Sequence, residues 1–154
     1  MPAKVSFKPA GCQQVIPYLV IAEPEKTISL LKKAFGATES HISRDPQGRI
    51  MHASLSIGDS MIMIGGAGER FPAQAAMVYL YVPDIDSAYQ RALAAGATSI
   101  MPPADQFYGD RSAGVKDANN IQFWIATHVE DVANDELERR AQAAFQGRAQ
   151  AKAS

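Results

Sequence analysis

The chain has 154 residues, of which 47% are apolar and 20% charged, with a formal net charge of −1; this suits one domain or two small packed halves and excludes a disordered chain. So small a charge gives no electrostatic footprint for nucleic acid or an anionic membrane, and the single cysteine, Cys12, excludes an intrachain disulfide. The opening MPAKVSFKPAG lacks the apolar stretch of a signal peptide, and no apolar run approaches the ~20 residues of a membrane span, so a cytoplasmic protein is expected.

In chain order, the first strand is PYLVIAE, Pro17 to Glu23. A helix follows in PEKTISLLKKAFGAT, with Pro24 as a first-turn proline, an apolar stripe at Ile28, Leu31 and Phe35, and Gly36 just past its end. Three β-like segments come next: TESHISRD, RIMHASLSIG and SMIMIGG, the first two separated by the turn DPQGR. GAGERFPAQA, Gly66 to Ala75, is a linker; it lacks the Gly-Lys-Ser/Thr ending and the following helix of a phosphate loop. The next strand, VYLYVPD, repeats the first: a Tyr-Leu pair near its start and an acidic residue at its end. Its helix, IDSAYQRALAAGAT, has Asp84 as N-cap, a stripe at Ile85, Ala88, Tyr89 and Ala92, and Gly96 at its end. TSIMPPAD, RSAGVKD and IQFWIATH complete the second set of strands. VANDELERRAQAAF then forms a C-terminal helix, its early acidic residues and later arginines suiting the helix dipole, and the tail frays from Gly147.

Two βαβββ units, offset by about sixty residues, are thus read from recurring order and punctuation. The whole chain, and above all MPPADQFYGDRSAGVKDANNIQFWIATHVEDV with GRIMHASLSIGDSMIM, resembles the vicinal oxygen chelate superfamily, in its glyoxalase-like and bleomycin-resistance-like branch. The resemblance covers roughly Gln14 to Val132. It implies an α+β fold: two tandem βαβββ units (14–65 and 76–128) in a domain of residues 14–132, forming a curled mixed-sheet cup with the helices outside. Residues 133–154 make the C-terminal helix and tail. It also implies a homodimer, with halves exchanged between chains in some relatives.

Metal-dependent members of that superfamily carry ligands at the start of the first strand and in the last strand of each unit. By the resemblance those positions fall on Ile16, Met63, Met77 and Trp124. All four are apolar, and Ile and Trp offer a divalent ion no donor, so neither a metal nor another cofactor is expected. Strand alternation then lines the cup. Tyr18, Val20, Met61, Tyr79, Tyr81 and Gln122 join the mapped positions inside, with His52, Ser54 and Ser56 as the polar set of MHASLSIG. An aromatic, methionine-rich lining with a few polar groups suits a small-molecule pocket.

The candidate ligand-binding set is Tyr18, His52, Ser54, Met63, Met77, Tyr79, Tyr81, Phe107, Tyr108, Arg111, Gln122 and Trp124. Phe107, Tyr108 and Arg111 enter it through DQFYGDR, an aromatic and charged loop of the kind that shapes a pocket mouth. Arg111 paired at the surface with Asp105 or Asp110 is the plainer alternative. Trp124 either stacks on a planar ligand or plugs the cup. His52 is a base, a ligand contact or a structural histidine. His41 and His128 sit at strand edges and are assigned no role, and Cys12 has no evident base partner. The expected function is metal-independent binding of a small planar or amphipathic organic molecule, as in antibiotic sequestration. The alternative is a lyase or isomerase of the glyoxalase type with His52 as base or metal ligand.

Overall fold

The computed structural model describes residues 5–153; the first four residues of the amino-terminal arm and Ser154 of the tail lie outside the described residues. The first unit runs β1 (Tyr18–Ile21), α1 (Pro24–Phe35), β2 (Thr38–Arg44), β3 (Ile50–Ile57) and β4 (Ser60–Gly66). The second runs β5 (Ala76–Tyr81), α2 (Ile85–Ala94), β6 (Thr98–Asp105), β7 (Asp110–Lys116) and β8 (Ile121–His128), and α3 (Asn134–Ala153) follows. The fold is therefore α+β, with the βαβββ unit present twice. Each unit makes a four-stranded mixed sheet, β1-β4-β3-β2 and β5-β8-β7-β6. In both, the first strand pairs parallel with the last and the remaining pairs are antiparallel. Pro102 and Pro103 lie in β6, an edge strand, where a missing N–H costs no ladder bond on the free side.

The helices form where local chemistry directs them. Pro24 occupies the first turn of α1, and Gly36 at φ 67° ends it. Asp84 caps α2 by accepting the Ser87 N–H at 3.1 Å. The stripes Ile28–Leu31–Phe35 and Ile85–Ala88–Tyr89–Ala92 are buried in one core with Leu19, Ile21, Leu55, Ile64, Val115, Phe123 and Ile125. The two helices touch each other, and the ring of Phe35 on α1 lies 5.7 Å from that of Phe123 on β8. Helix α1 also contacts β3 and β4. The helix-facing sides of both sheets thus look toward the same helical layer, and the opposite faces, the fronts, look away from it.

The two units are also locked by hydrogen bonds that join the start of α1 to the β7–β8 turn. Glu23, the N-cap of α1, makes no side-chain capping bond; its backbone N–H is accepted instead by Asn119 Oδ1 at 3.0 Å. Asn119 Nδ2 donates to the Glu23 carbonyl at 2.9 Å and to Thr27 Oγ1 at 2.8 Å. Thr27 in turn donates to Asp117 Oδ2 at 2.5 Å, while Asp117 Oδ1 accepts the backbone N–H of Asn119 and of Ile121, each at 2.9 Å. Thr27, Asp117 and Ile121 are all buried, so removing the carboxylate leaves donors without water to replace it. Asp117→Ala is expected to cost about 3 kcal/mol, measured by urea unfolding; a loss below about 1 kcal/mol would contradict this role.

Helix α3 continues through Gly147 to Ala153, where the sequence reading has the chain fray. The flanking Ala, Gln, Arg and Lys residues are good helix formers and outweigh the ~1 kcal/mol that one glycine costs. None of its residues is buried. It is tied down by Arg140, which donates to both oxygens of Glu130 at 2.8 and 2.9 Å and to the Phe107 carbonyl at 3.2 Å. Among the described residues, no helix is long and apolar enough to cross a membrane.

Candidate functional site

Cross-strand partners share a face, so register assigns each front. On the first sheet Tyr18 opposes Met63, Met63 opposes Ser54, and Ser54 opposes His41. His52 lies opposite Gly65 in the adjoining row. On the second sheet Met77 opposes Gln122, Tyr79 opposes Trp124, and Tyr81 opposes Ala126. These fronts are open: Tyr18 is 52% exposed, Met77 64%, Tyr79 45% and Tyr81 62%.

On the first sheet, the Tyr18 hydroxyl lies 3.2 Å from His52 Nδ1, and His52 Nε2 lies 3.0 Å from the Ser54 hydroxyl. Tyr18 lies low across the strands because Gly65 is beneath it; a Cβ there would sit 2.8 Å from the ring. The second sheet repeats the device. Trp124 lies against Gly114, where a Cβ would sit 2.9 to 3.0 Å from the indole carbons, and its Nε1 donates to Gln122 Oε1 at 3.0 Å. Each front therefore presents one aromatic ring held down over a glycine.

The second sheet adds a polar cluster that the sequence reading does not assemble. Asp110, at the start of β7, is 3% exposed. Its Oδ2 accepts the hydroxyls of Tyr79 at 3.0 Å and Tyr81 at 2.8 Å, and its Oδ1 pairs with His128 Nδ1 at 2.9 Å. His128 Nε2 lies 2.7 Å from Asp131 Oδ1. His128, assigned no role from the sequence, thus bridges two carboxylates. The signal was available, since it shares parity with Trp124 on β8.

Burial works against the charge of Asp110, but hydrogen bonds from His128, Tyr81 and Tyr79 outweigh it and hold the carboxyl below its usual range. The same contacts hold the phenols as donors. Burial and then hydrogen bonds to Tyr108 and Asp110 push Tyr79 well above the ordinary phenol range; Tyr81 is raised by Asp110 and then by burial. His128 is raised from 6.5 by Asp110 and then Asp131. A raised histidine stabilises the fold fully below its unfolded value of 6.5, and loses this as pH rises through the folded midpoint. Asp110, lowered from 3.8, contributes above that value and loses it as pH falls through its folded midpoint. Both contributions are complete between about pH 4 and 6.5. A ¹³C or ¹H NMR titration should find the His128 midpoint above 6.5, and Asp110→Asn should lower it; an unchanged midpoint would contradict the pairing.

Of the sequence-derived set, Tyr18, His52, Ser54 and Met63 come together on the first front, and Met77, Tyr79, Tyr81, Gln122 and Trp124 on the second. Phe107 and Tyr108 stand in the β6–β7 loop with their rings edge-to-face at 5.3 Å, Tyr108 reaching Tyr79. Arg111 leaves the pocket and takes the surface pairing with Asp105 that was the plainer alternative. It opposes Thr127, on the helix side of the sheet, and is held by Asp86 of α2 at 2.9 Å and Asp105 at 3.2 Å. At the positions where the resemblance puts metal ligands stand Met63, Met77 and Trp124 on the fronts and half-buried Ile16 before β1. Among the described residues no group of three His, Cys, Asp or Glu side chains is placed to hold an ion. The residues present do not fit that metal.

Two open mixed sheets, each a βαβββ unit with helices behind and an aromatic front, define a protein of the paired βαβββ class. A family model described as the Glyoxalase/Bleomycin resistance protein/Dioxygenase superfamily matches residues 13–125, and the chain belongs to that superfamily. It is 31% identical to the uncharacterized protein Rv0887c of Mycobacterium tuberculosis over 133 residues, covering 79% of this chain and 78% of that one. Its fold is similar to TioX from Micromonospora sp. ML1, with a TM-score of 0.66 and 24% identity over 76% of this chain and 99% of the other. It is likewise similar to TnmS3, an antibiotic binding protein from Streptomyces sp. CB03234, with a TM-score of 0.60 and 14% identity over 79% and 99%. The fosfomycin resistance protein FosX from Mesorhizobium loti matches with a TM-score of 0.56 and 20% identity over 75% and 91%.

Proposed function

We propose that the chain binds a small planar or amphipathic organic molecule, without a metal, in a cup that the first sheet of one chain closes with the second sheet of another copy. The observation that carries this is the pair of exposed aromatic fronts, Tyr18 with Met63 and Tyr79 with Trp124. Large apolar side chains left in water on the fronts of both sheets mark a binding surface. The fronts of one chain look away from the shared helices, so a second copy is needed to set a first front against a second. β1 and β5 each lie at a sheet edge, and a free edge is a surface for another chain. A crevice of about 680 Å³, lined by Val15, Met61, Val78, Tyr81 and Phe35 among others, runs beside β5 and gives an incoming edge an apolar seat. By analogy with TnmS3, the role of the bound state is cytoplasmic sequestration of a toxic compound.

The test uses N-phenyl-1-naphthylamine, an uncharged aromatic probe that brightens in apolar sites. Light scattering should find a dimer, and the dimer should bind the probe with a rise in melting temperature. Trp124→Ala should weaken binding at least about tenfold. A monomer, or a dimer that leaves the probe dark, would overturn the reading.

The Tyr18–His52–Ser54 contacts favour a second reading, a lyase or isomerase in which His52 takes a proton from a bound substrate. Turnover of a glyoxalase-type hemithioacetal, abolished by His52→Ala with probe binding intact, would establish it over sequestration.

A further inference from the structure

Resting on the binding reading above, we propose that the Asp110 end of the second front is a subsite for the N–H edge of a planar aromatic cation, whose hydrogens are accepted by the hydroxyl oxygens of Tyr79 and Tyr81. The proton inventory of the cluster leads there. Both ring nitrogens of His128 face carboxylates, at 2.9 and 2.7 Å. An ionised carboxylate only accepts, so the two contacts are satisfied together only by a ring that carries both protons, which adds at most one positive charge. One cation between Asp110 and Asp131 leaves the cluster with a net negative charge.

The tyrosine protons are committed as well. Both hydroxyls donate to Asp110 Oδ2, so their oxygens meet a ligand with lone pairs and no proton to give. Tyr108 and Tyr81 both approach the Tyr79 hydroxyl, yet with the Tyr79 and Tyr81 protons on Asp110 each oxygen keeps lone-pair capacity for a ligand. An anionic ligand would find no donor here and a repelling charge; a ligand with N–H groups finds paired acceptors.

Stacking surface adjoins this polar end. The Tyr79 and Tyr81 rings meet edge-on at 5.5 Å, and Trp124, opposite Tyr79, lies against Gly114. Aromatic faces attract organic cations as well as planar rings. The cationic side chains nearby are already paired, Arg111 with Asp86 and Asp105, and Arg140 with Glu130 and Glu136. Lys116 ends β7 opposite Gln122, at the far end from Asp110 and roughly 20 Å along the strand.

The test compares three tricyclic probes by fluorescence titration of the dimer at neutral pH. 9-Aminoacridine is a planar cation with N–H donors, 10-methylacridinium a planar cation without them, and 9-anthracenecarboxylate a planar anion. 9-Aminoacridine should bind most tightly and the carboxylate at least about tenfold more weakly. Tyr79→Phe/Tyr81→Phe keeps both rings and removes both acceptors. It should weaken 9-aminoacridine about tenfold while leaving 10-methylacridinium within about twofold. Tyr79→Phe alone, which leaves Asp110 its bonds to Tyr81 and His128, gives the same comparison if the double variant does not fold. Equal binding of anion and 9-aminoacridine, or an unchanged ratio between the two cations in the variants, would overturn the subsite and leave the pocket standing. If no probe binds, including N-phenyl-1-naphthylamine, the pocket itself falls and the subsite with it.

Discussion

Gly109→Ala is expected to destabilise the protein by at least about 3 kcal/mol, lowering its melting temperature by roughly 6 to 12 °C. Gly109 closes the β6–β7 loop at φ +94°, a conformation that L side chains rarely adopt. An added Cβ would lie 2.1 Å from the Glu130 carbonyl oxygen and 3.1 Å from Val132. The first clash is with backbone, so no rotamer change relieves it. Nor can the backbone retreat freely, because the Gly109 carbonyl accepts the N–H of both Val129 and Glu130, at 2.9 and 3.0 Å. Loop and post-β8 segment are clasped together, and Asp110 follows directly on that clasp. Loss of the clasp should therefore also lower the His128 midpoint. A melting temperature within about 2 °C of wild type would show that the loop gives way without cost.

Gly114→Ala should do the reverse, leaving stability near wild type and removing the binding surface. A glycine within a strand is ordinarily unfavourable by about 0.5–1 kcal/mol relative to alanine, so a neutral site would gain stability. Here the new Cβ would meet Trp124 Cη2 at 2.9 Å. The indole lies on an open front and can lift, at the expense of its bond to Gln122 Oε1. The expected result is a stability change within about 1 kcal/mol and a red shift of Trp124 emission. The affinity for N-phenyl-1-naphthylamine should fall at least about tenfold. Unchanged emission with unchanged affinity would mean that the indole does not set the floor. Gly65→Ala beneath Tyr18 is the same experiment on the first sheet.

What the sequence made legible was local or periodic. Pro24, Gly36, Asp84 and Gly96 mark helix ends by their own backbone chemistry, and the repeat of the Tyr-Leu strands announces the two units. The resemblance put Met63, Met77 and Trp124 inward, and strand parity carried Tyr18, Tyr79, Tyr81 and Gln122 to the same faces, because side chains alternate whatever the partner strand. Register between strands was not legible. One residue of slip decides whether Asp110 or Arg111 faces front. The sequence reading put Arg111 in a pocket-mouth loop, whereas the pairing of Asp110 with His128 sets Arg111 on the helix side, against Asp86 and Asp105. The inter-unit lock was hidden for the same reason. Asp117 and Asn119 stand in the polar run DANN, and nothing local to it points to their partners Thr27 and Glu23, some ninety residues away.

Mixing two damaged chains decides whether the cup is shared between them. Tyr18→Ala removes the ring of the first front and Trp124→Ala that of the second, so neither homodimer should bind N-phenyl-1-naphthylamine. In the mixed dimer, one cup pairs the two damaged fronts and the other pairs the two intact ones. Titration of the purified mixed dimer should therefore recover about half the wild-type number of probe sites, at wild-type affinity. No recovered site would contradict the account, because a cup built within one chain stays damaged in both partners.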